Sequence, residues 1–313
     1  MSLFAKIAVD LQQALASRAQ HGASAKPLVS RTLAAGHGWS VEDILCTCGR
    51  HDRSFKEKHA SVSIAVVLAG TFQYRASTPS GSTDQLMTPG SLLLGNPGQV
   101  FECGHEHADG DRCLSFHFAP EYFESIAADA GVPRGERRFG ILRLPPAHEL
   151  SPVIALACAG VLAANPHSTG SLAFASWEEI AIQLAALAIR SAHGLRRPLP
   201  RTEPSSIARI TRAVRSLEHE PEQPGTVQRL AAEAGLSPFH FLRTFEQVTG
   251  VTPHRYVRRA RLRQAATRLL TERSNILDVA LNSGFGDLCN FNRAFRGEFG
   301  LSPRQFRSRG LPF

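Results

Sequence analysis

"GFGDLCNFNRAFRGEFGLSPRQFR" occupies residues 284–307, and aromatic rings alternate in it with positive charge: Phe291, Phe295, Phe299 and Phe306 against Arg293, Arg296, Arg304 and Arg307. The pattern occurs twice. Phe241, Arg243, Phe245, Gly250, Thr252, Pro253 and Tyr256 stand fifty residues before Phe291, Arg293, Phe295, Gly300, Ser302, Pro303 and Phe306. Upstream, Leu230, Ala231 and Gly235 precede Val279, Ala280 and Gly284 by forty-nine, so the second copy gained one residue in its turn. A spacing kept over so many positions marks two copies of one helical unit.

Each copy reads as helix, tight turn, helix. Thr226 caps a helix whose Val227, Leu230 and Ala231 share a face, Gly235 supplies the left-handed turn, and Ser237-Pro238 starts the next helix. In that helix Phe241 and Phe245 point inward, leaving Phe239, His240, Leu242, Arg243 and Glu246 outside. The second copy repeats the plan: Ile276, Val279 and Ala280 inside, a turn at Gly284, and a cap at Asp287. Phe291 and Phe295 are again inside, with Leu288, Cys289, Asn292, Arg293 and Arg296 outside. The two helix-turn-helix units span about 226–249 and 275–299, and a helix over about 252–271 joins them. Tyr256, Val257, Leu262, Ala265, Ala266 and Leu269 form its buried side, and several of its six arginines are expected only to solvate it.

Charge divides unevenly. Residues 201–313 carry 18 arginines, no lysine and 10 acids, whereas residues 1–200 balance 17 basic against 17 acidic, so the whole net +8 lies in the last third. A basic solubilising face and a footprint for phosphate are both consistent with this; arginine without lysine favours phosphate and guanine edges, which its fork meets bidentately. The neutral-to-basic shift coincides with "HGLRRPLPRTEPSS" (193–206), a proline-rich linker. Two domains follow, 1–195 and 205–313, separated by 196–204 and meeting only through that linker.

Residues 205–309 resemble the DNA-binding domain of the AraC/XylS family of bacterial transcription regulators. The resemblance rests on Gly284, Phe285, Asp287, Phe291, Arg293, Phe295, Phe299, Gly300, Ser302, Pro303, Phe306 and Arg307, with the repeat in phase. It implies two recognition helices entering successive major-groove segments of double-stranded promoter DNA, about one turn apart. It also implies a small-molecule effector, RNA polymerase as a partner, and a homodimer formed through a helix of the first domain. By position, Phe239, Leu242 and Arg243 would face bases from the first unit, and Leu288, Cys289 and Arg293 from the second. Family members often carry polar side chains where Leu242, Leu288 and Cys289 stand here; these three can pack only on thymine methyls, which leaves hydrogen-bonded readout to the arginines.

Residues 40–145 alternate in short runs between glycine and proline turns, as in "SVSIAVVLAGTFQYRAS" (61–77) and "RCLSFHFAP" (112–120). That is the pattern of a β-sandwich or barrel, and in this position it resembles the cupin-like sensor domain of the same family. The fold class is therefore α+β: a cupin-like β-barrel followed by a helical pair over 150–193, then an all-α domain. In the second of those helices Trp177, Ile180, Leu184 and Leu187 form an apolar stripe, suited either to its own core or to a dimer contact.

The stretch "FECGHEHADGDRCLSFHF" (101–118) places Cys103, His105 and His107 at alternate positions, and Cys113, Ser115 and His117 likewise. If "ADGD" turns a hairpin, 107 pairs with 113, 105 with 115 and 103 with 117. Cys103, His105, His107 and Cys113 then become candidate ligands for zinc or another transition metal, with Cys46, Cys48, His51 and His59 able to approach. A redox-responsive thiol cluster and a plain pocket wall are the competing readings. A metal-dependent cupin enzyme, a dioxygenase or isomerase with DNA binding attached, is the alternative function. Against it, Phe101 stands where the customary cupin metal pattern has histidine. The start of the chain lacks signal-peptide character, and no apolar run reaches about 18 residues, so a cytoplasmic protein without membrane contact is expected.

Overall fold

The computed structural model describes residues 3–21, 27–78, 81–134, 137–163, 177–194, 203–219, 221–222 and 226–310; the expected linker at 196–204 falls almost wholly outside them. Helix α1 (Leu3–His21) leads into ten strands: β1 (Leu28–Gly36), β2 (Trp39–Cys46), β3 (Phe55–Lys58), β4 (Val62–Gly70), β5 (Phe72–Thr78), β6 (Gly81–Met87), β7 (Leu92–Gly95), β8 (Val100–Gly104), β9 (Asp111–Phe118) and β10 (Arg143–Leu144). They form a six-stranded sheet in the order β1-β2-β9-β4-β7-β10 and a four-stranded sheet in the order β3-β8-β5-β6. Every pairing is antiparallel.

Period-two alternation explains the layers. In central β4, Ile64, Val66 and Leu68 point to the helical side, where they join Leu114, Phe116 and Phe118 of β9. That side is covered by α1, α2 (Pro120–Asp129), α3 (Ser151–Ala163) and α4 (Trp177–Gly194). The intervening Ala65 and Val67 face the smaller sheet and pack with Cys113, Phe72, Tyr74 and Met87. The apolar stripe of α4 is used internally: Ile180 and Leu184 lie in the domain core, with Trp177 and Leu187 packed against it.

The expected hairpin does not form. β8 pairs with β3 and β5 in the smaller sheet, whereas β9 lies between β2 and β4 in the larger one. His105 and His107 follow the end of β8, in the connection rather than on a strand. Alternation had set the face correctly, since Cys103 and Cys113 reach the same inter-sheet core from opposite sheets; it could not set the partner.

The second domain contains α5 (Pro204–His219), α6 (Val227–Glu233), α7 (Pro238–Thr249), α8 (Pro253–Thr271), α9 (Ile276–Asn282), α10 (Leu288–Phe299) and α11 (Pro303–Gly310). Helix α8 serves two cores. Its Tyr256 and Val257 close the first unit with α5, α6 and α7, and Leu262, Ala265, Ala266, Leu269 and Leu270 close the second with α9, α10 and α11. One continuous helix embedded in both cores fixes one unit against the other.

The domains do not meet only through the linker. Leu86 of β6 belongs to the core of the first helical unit, and Ala155 and Ala159 of α3 belong to that of the second. The fully buried Arg143 of β10 donates to the carbonyls of Val248 (2.8 Å) and Thr249 at the C-terminus of α7. Burial pushes its pKa down to about 10, so it stays charged at neutral pH against the negative helix end. Ser151 at the start of α3 donates to Glu298 of α10 at 2.6 Å. The arginines of α8 are also more committed than expected. Arg263 pairs with Glu218 (3.2 Å), Arg259 with Glu298 (3.3 Å), Arg268 with Glu272 (3.1 Å), and Arg261 donates to the Pro221 and Glu222 carbonyls.

Candidate nucleic-acid interface and sensor pocket

Side-chain caps position the helical units, Ser302 before α11 accepting from the Gln305 N–H at 3.3 Å among them. Thr226, Ser237, Thr252, Asn275 and Asp287 each accept from the backbone N–H three residues on, at 3.2, 3.4, 3.4, 3.0 and 2.6 Å. The helices α7 and α10 end on Gly250 (φ +80°) and Gly300 (φ +72°), left-handed positions that disfavour a β-carbon. With starts and ends matched, the two helices present equivalent faces fifty residues apart.

Inside each face the rings hold the unit closed. Phe241 meets Phe245 at 5.6 Å between centroids and Phe245 meets Tyr256 at 5.7 Å. In the second unit Phe285, Phe291, Phe295, Phe299 and Phe306 form one continuous cluster. Outside, all nine expected DNA-facing residues are exposed: Phe239, His240, Leu242 and Arg243 on α7, and Leu288, Cys289, Asn292, Arg293 and Arg296 on α10. Phe239 is 77% exposed, an unusual position for a ring with no core to fill. Beside α10, an open depression of about 750 Å³ is lined by Leu288, Asn292, Arg293, Arg296 and Arg304. Arg307, by contrast, turns back to donate to the Ser274 carbonyl at 2.7 Å.

Between the sheets of the first domain lies a second polar group. His59 Nε2 and the Tyr74 hydroxyl are 2.7 Å apart, and Phe101 stacks on the imidazole at 4.1 Å. So Phe101 fills the place of the missing histidine and packs on another one. Gly95 leaves room for the ring, because a β-carbon there would overlap it. Burial, with His117 nearby, depresses the His59 pKa to about 4, and burial holds the Tyr74 hydroxyl protonated, so the contact joins a neutral phenol to a neutral imidazole. His117, also depressed by burial, contacts the Ser61 and Ser63 hydroxyls at 3.5 and 3.3 Å.

A pH effect follows. The unfolded chain protonates His59 near pH 6.5 whereas the native state resists until about 4, so stability is full above the first value and is lost as pH falls towards the second. The loss should reach on the order of 3 kcal/mol. Urea unfolding at pH 7 and pH 4 measures it; an unchanged pH dependence in His59→Gln would assign the effect to another group.

Among the described residues, His105 alone of the four expected ligands enters a group of mutually close donors; Cys46 and Cys48, expected to approach, are its companions, while Cys103, His107 and Cys113 stay outside it. His107 is half-buried in the β8–β9 connection, and His51 is exposed. Burial pushes the Cys103 and Cys113 thiols well up, which keeps them protonated. Asp111, which sequence reasoning took for part of a turn, is the acceptor for both His105 and Cys113.

Comparison with known proteins matches both halves. A model of a helix-turn-helix domain covers residues 230–309, and one of an AraC-like ligand binding domain covers residues 46–185. The HTH-type transcriptional regulator MtrA of Neisseria gonorrhoeae is 29% identical over 102 residues, 33% of this chain and 34% of that protein. The HTH-type transcriptional activator RhaS of Klebsiella pneumoniae is 34% identical over 139 residues, 44% and 48% of the two chains. The chain thus spans between a third and a half of the length of these two relatives. The probable transcription factor PqrA of Proteus vulgaris is 37% identical over 84 residues, 27% of this chain and 69% of that protein. With a ligand-binding module preceding a duplicated helix-turn-helix module, the chain belongs to the AraC/XylS family of transcription regulators.

Proposed function

We propose that the protein is a sequence-specific regulator of transcription, without enzymatic activity, that reads two successive major-groove segments of promoter DNA through α7 and α10. The observation carrying this is the pair of equivalent outer faces, where nine residues chosen by sequence position are all exposed. The arginine-only charge of the last third supports phosphate as the neighbour. The barrel interior around His59, Tyr74 and Phe101 would take a small-molecule effector, and RNA polymerase would be met at the promoter, in the cytoplasm. A homodimer would need a surface other than the α4 stripe, which is occupied within its own domain. Among the described residues no helix is long and apolar enough to cross a membrane.

Specificity and grip separate by mutation. Arg243→Ala and Arg293→Ala should each cost about 1–3 kcal/mol at a cognate site and relax selection at one or two base pairs. Arg258→Ala, exposed on α8, should weaken all sequences alike and reduce the salt dependence of binding. Binding-site selection from a random duplex pool, followed by titrations at several salt concentrations, reads both. Equal relaxation of selectivity in all three variants, or salt-insensitive binding, would refute the assignment of faces.

A further inference from the structure

Cys46 ends β2 and lies opposite Asp111 at the start of β9. The next turn of chain is stitched to the same place: the Gly110 N–H donates to the Cys48 carbonyl at 2.8 Å. Gly110 is required there, since a β-carbon would meet the Cys46 carbonyl at 2.9 Å. This closure brings the β8–β9 connection, and with it His105, onto the two cysteines. One donor atom each from Cys46, Cys48 and His105 lies within 4.8 Å of the others, and all three residues are buried.

His105 has a second feature that two neighbouring thiols do not require. Its Nε2 is 2.7 Å from the Asp111 carboxylate, and both groups are buried. Metal-bound histidines characteristically donate their second ring N–H to a carboxylate, which fixes tautomer and orientation. With Nε2 engaged by Asp111, Nδ1 is the nitrogen available to a metal. The other Asp111 oxygen accepts from the Cys113 thiol at 3.2 Å, so Cys113 belongs to the surrounding shell and not to the ligand set.

We propose that Cys46, Cys48 and His105 bind one Zn²⁺ through two thiolates and one imidazole, with Asp111 orienting the histidine. Binding releases the thiol protons and leaves one tetrahedral position to water or a small donor molecule, the arrangement of exchangeable rather than closed structural zinc sites. The site needs no assumption about what the second domain binds.

The test uses the full chain, reduced and stripped with a chelator, then titrated with Zn²⁺ against a chromophoric competitor and separately with Co²⁺. One equivalent should bind, and the Co²⁺ complex should show thiolate charge-transfer absorption with tetrahedral d–d bands. Cys46→Ser and Cys48→Ser should each weaken binding by about 100-fold or more, and Asp111→Asn by about 10–100-fold with unchanged stoichiometry. Cys103→Ser and His107→Ala should bind as the parent does. Less than half an equivalent in protein with all thiols titrating as reduced would overturn the proposal, as would parental affinity in Cys48→Ser. Should the serine variants fail to fold, the parent's Co²⁺ spectrum decides, and a complex without thiolate charge transfer overturns the ligand set.

Discussion

Phe295→Ala should unfold the second helix-turn-helix unit, lowering stability by about 3–5 kcal/mol and removing specific DNA binding with it. The ring is fully buried and touches three others, Phe291 at 5.4 Å, Phe299 at 4.4 Å and Phe306 at 5.3 Å between centroids. These partners lie on α10 itself and on α11, so the cavity would open where the two helices meet. No polar atom is stranded by the change; the cost is lost apolar contact plus incomplete collapse around the void. Arg296 on the same helix is exposed, and Arg296→Ala should change stability by no more than about 0.5 kcal/mol. Urea unfolding followed by circular dichroism, alongside DNA titration, reads both variants. A Phe295→Ala protein with the parent's midpoint would show that the ring cluster does not hold the recognition helix in place.

That contrast explains why the second domain could be read from its sequence. Rings inside and arginines outside recur at a fixed offset, and each copy is bounded by a capping side chain and a left-handed glycine. Periodicity, capping and turn chemistry agree there, so they specify one local structure. In the first domain the same alternation placed Cys103 and Cys113 in one core but could not say that they come from different sheets, because period two fixes a strand's face and not its neighbour. The grouping of Cys46 and Cys48 with His105 arises from that topology. Nor does an arginine announce its partner. Arg259 and Arg263 look like Arg258 in sequence, yet they are paired with Glu298 and Glu218 while Arg258 is exposed. The seam between the domains was hidden for this reason: its polar anchors, Arg143 and Ser151, carry no pattern that separates them from surface residues.

Asp43→Ala should destabilise the first domain by about 3–5 kcal/mol, an effect of the same size with an electrostatic origin. The Asp43 carboxylate accepts from Arg112 Nε and Nη2 at 2.9 and 2.8 Å, and both side chains are buried between β2 and β9. Asp10 of α1 accepts from Nη1 of the same guanidinium at 3.0 Å, so one arginine ties the first helix to the centre of the larger sheet. Removing Asp43 leaves that charge buried against a single, half-exposed partner, and the desolvation penalty is no longer offset. Removing both charges is a different matter. Asp43→Leu with Arg112→Met fills similar volume and strands only Asp10 and Arg31, partly exposed side chains that can turn to water. The double variant should therefore lose less than the sum of the two single losses, by about 1–3 kcal/mol. A double-mutant cycle in urea measures the difference. Additive losses would mean that the pair contributes through packing and not through its charges, leaving Ile7 and Leu11 as the anchors of α1.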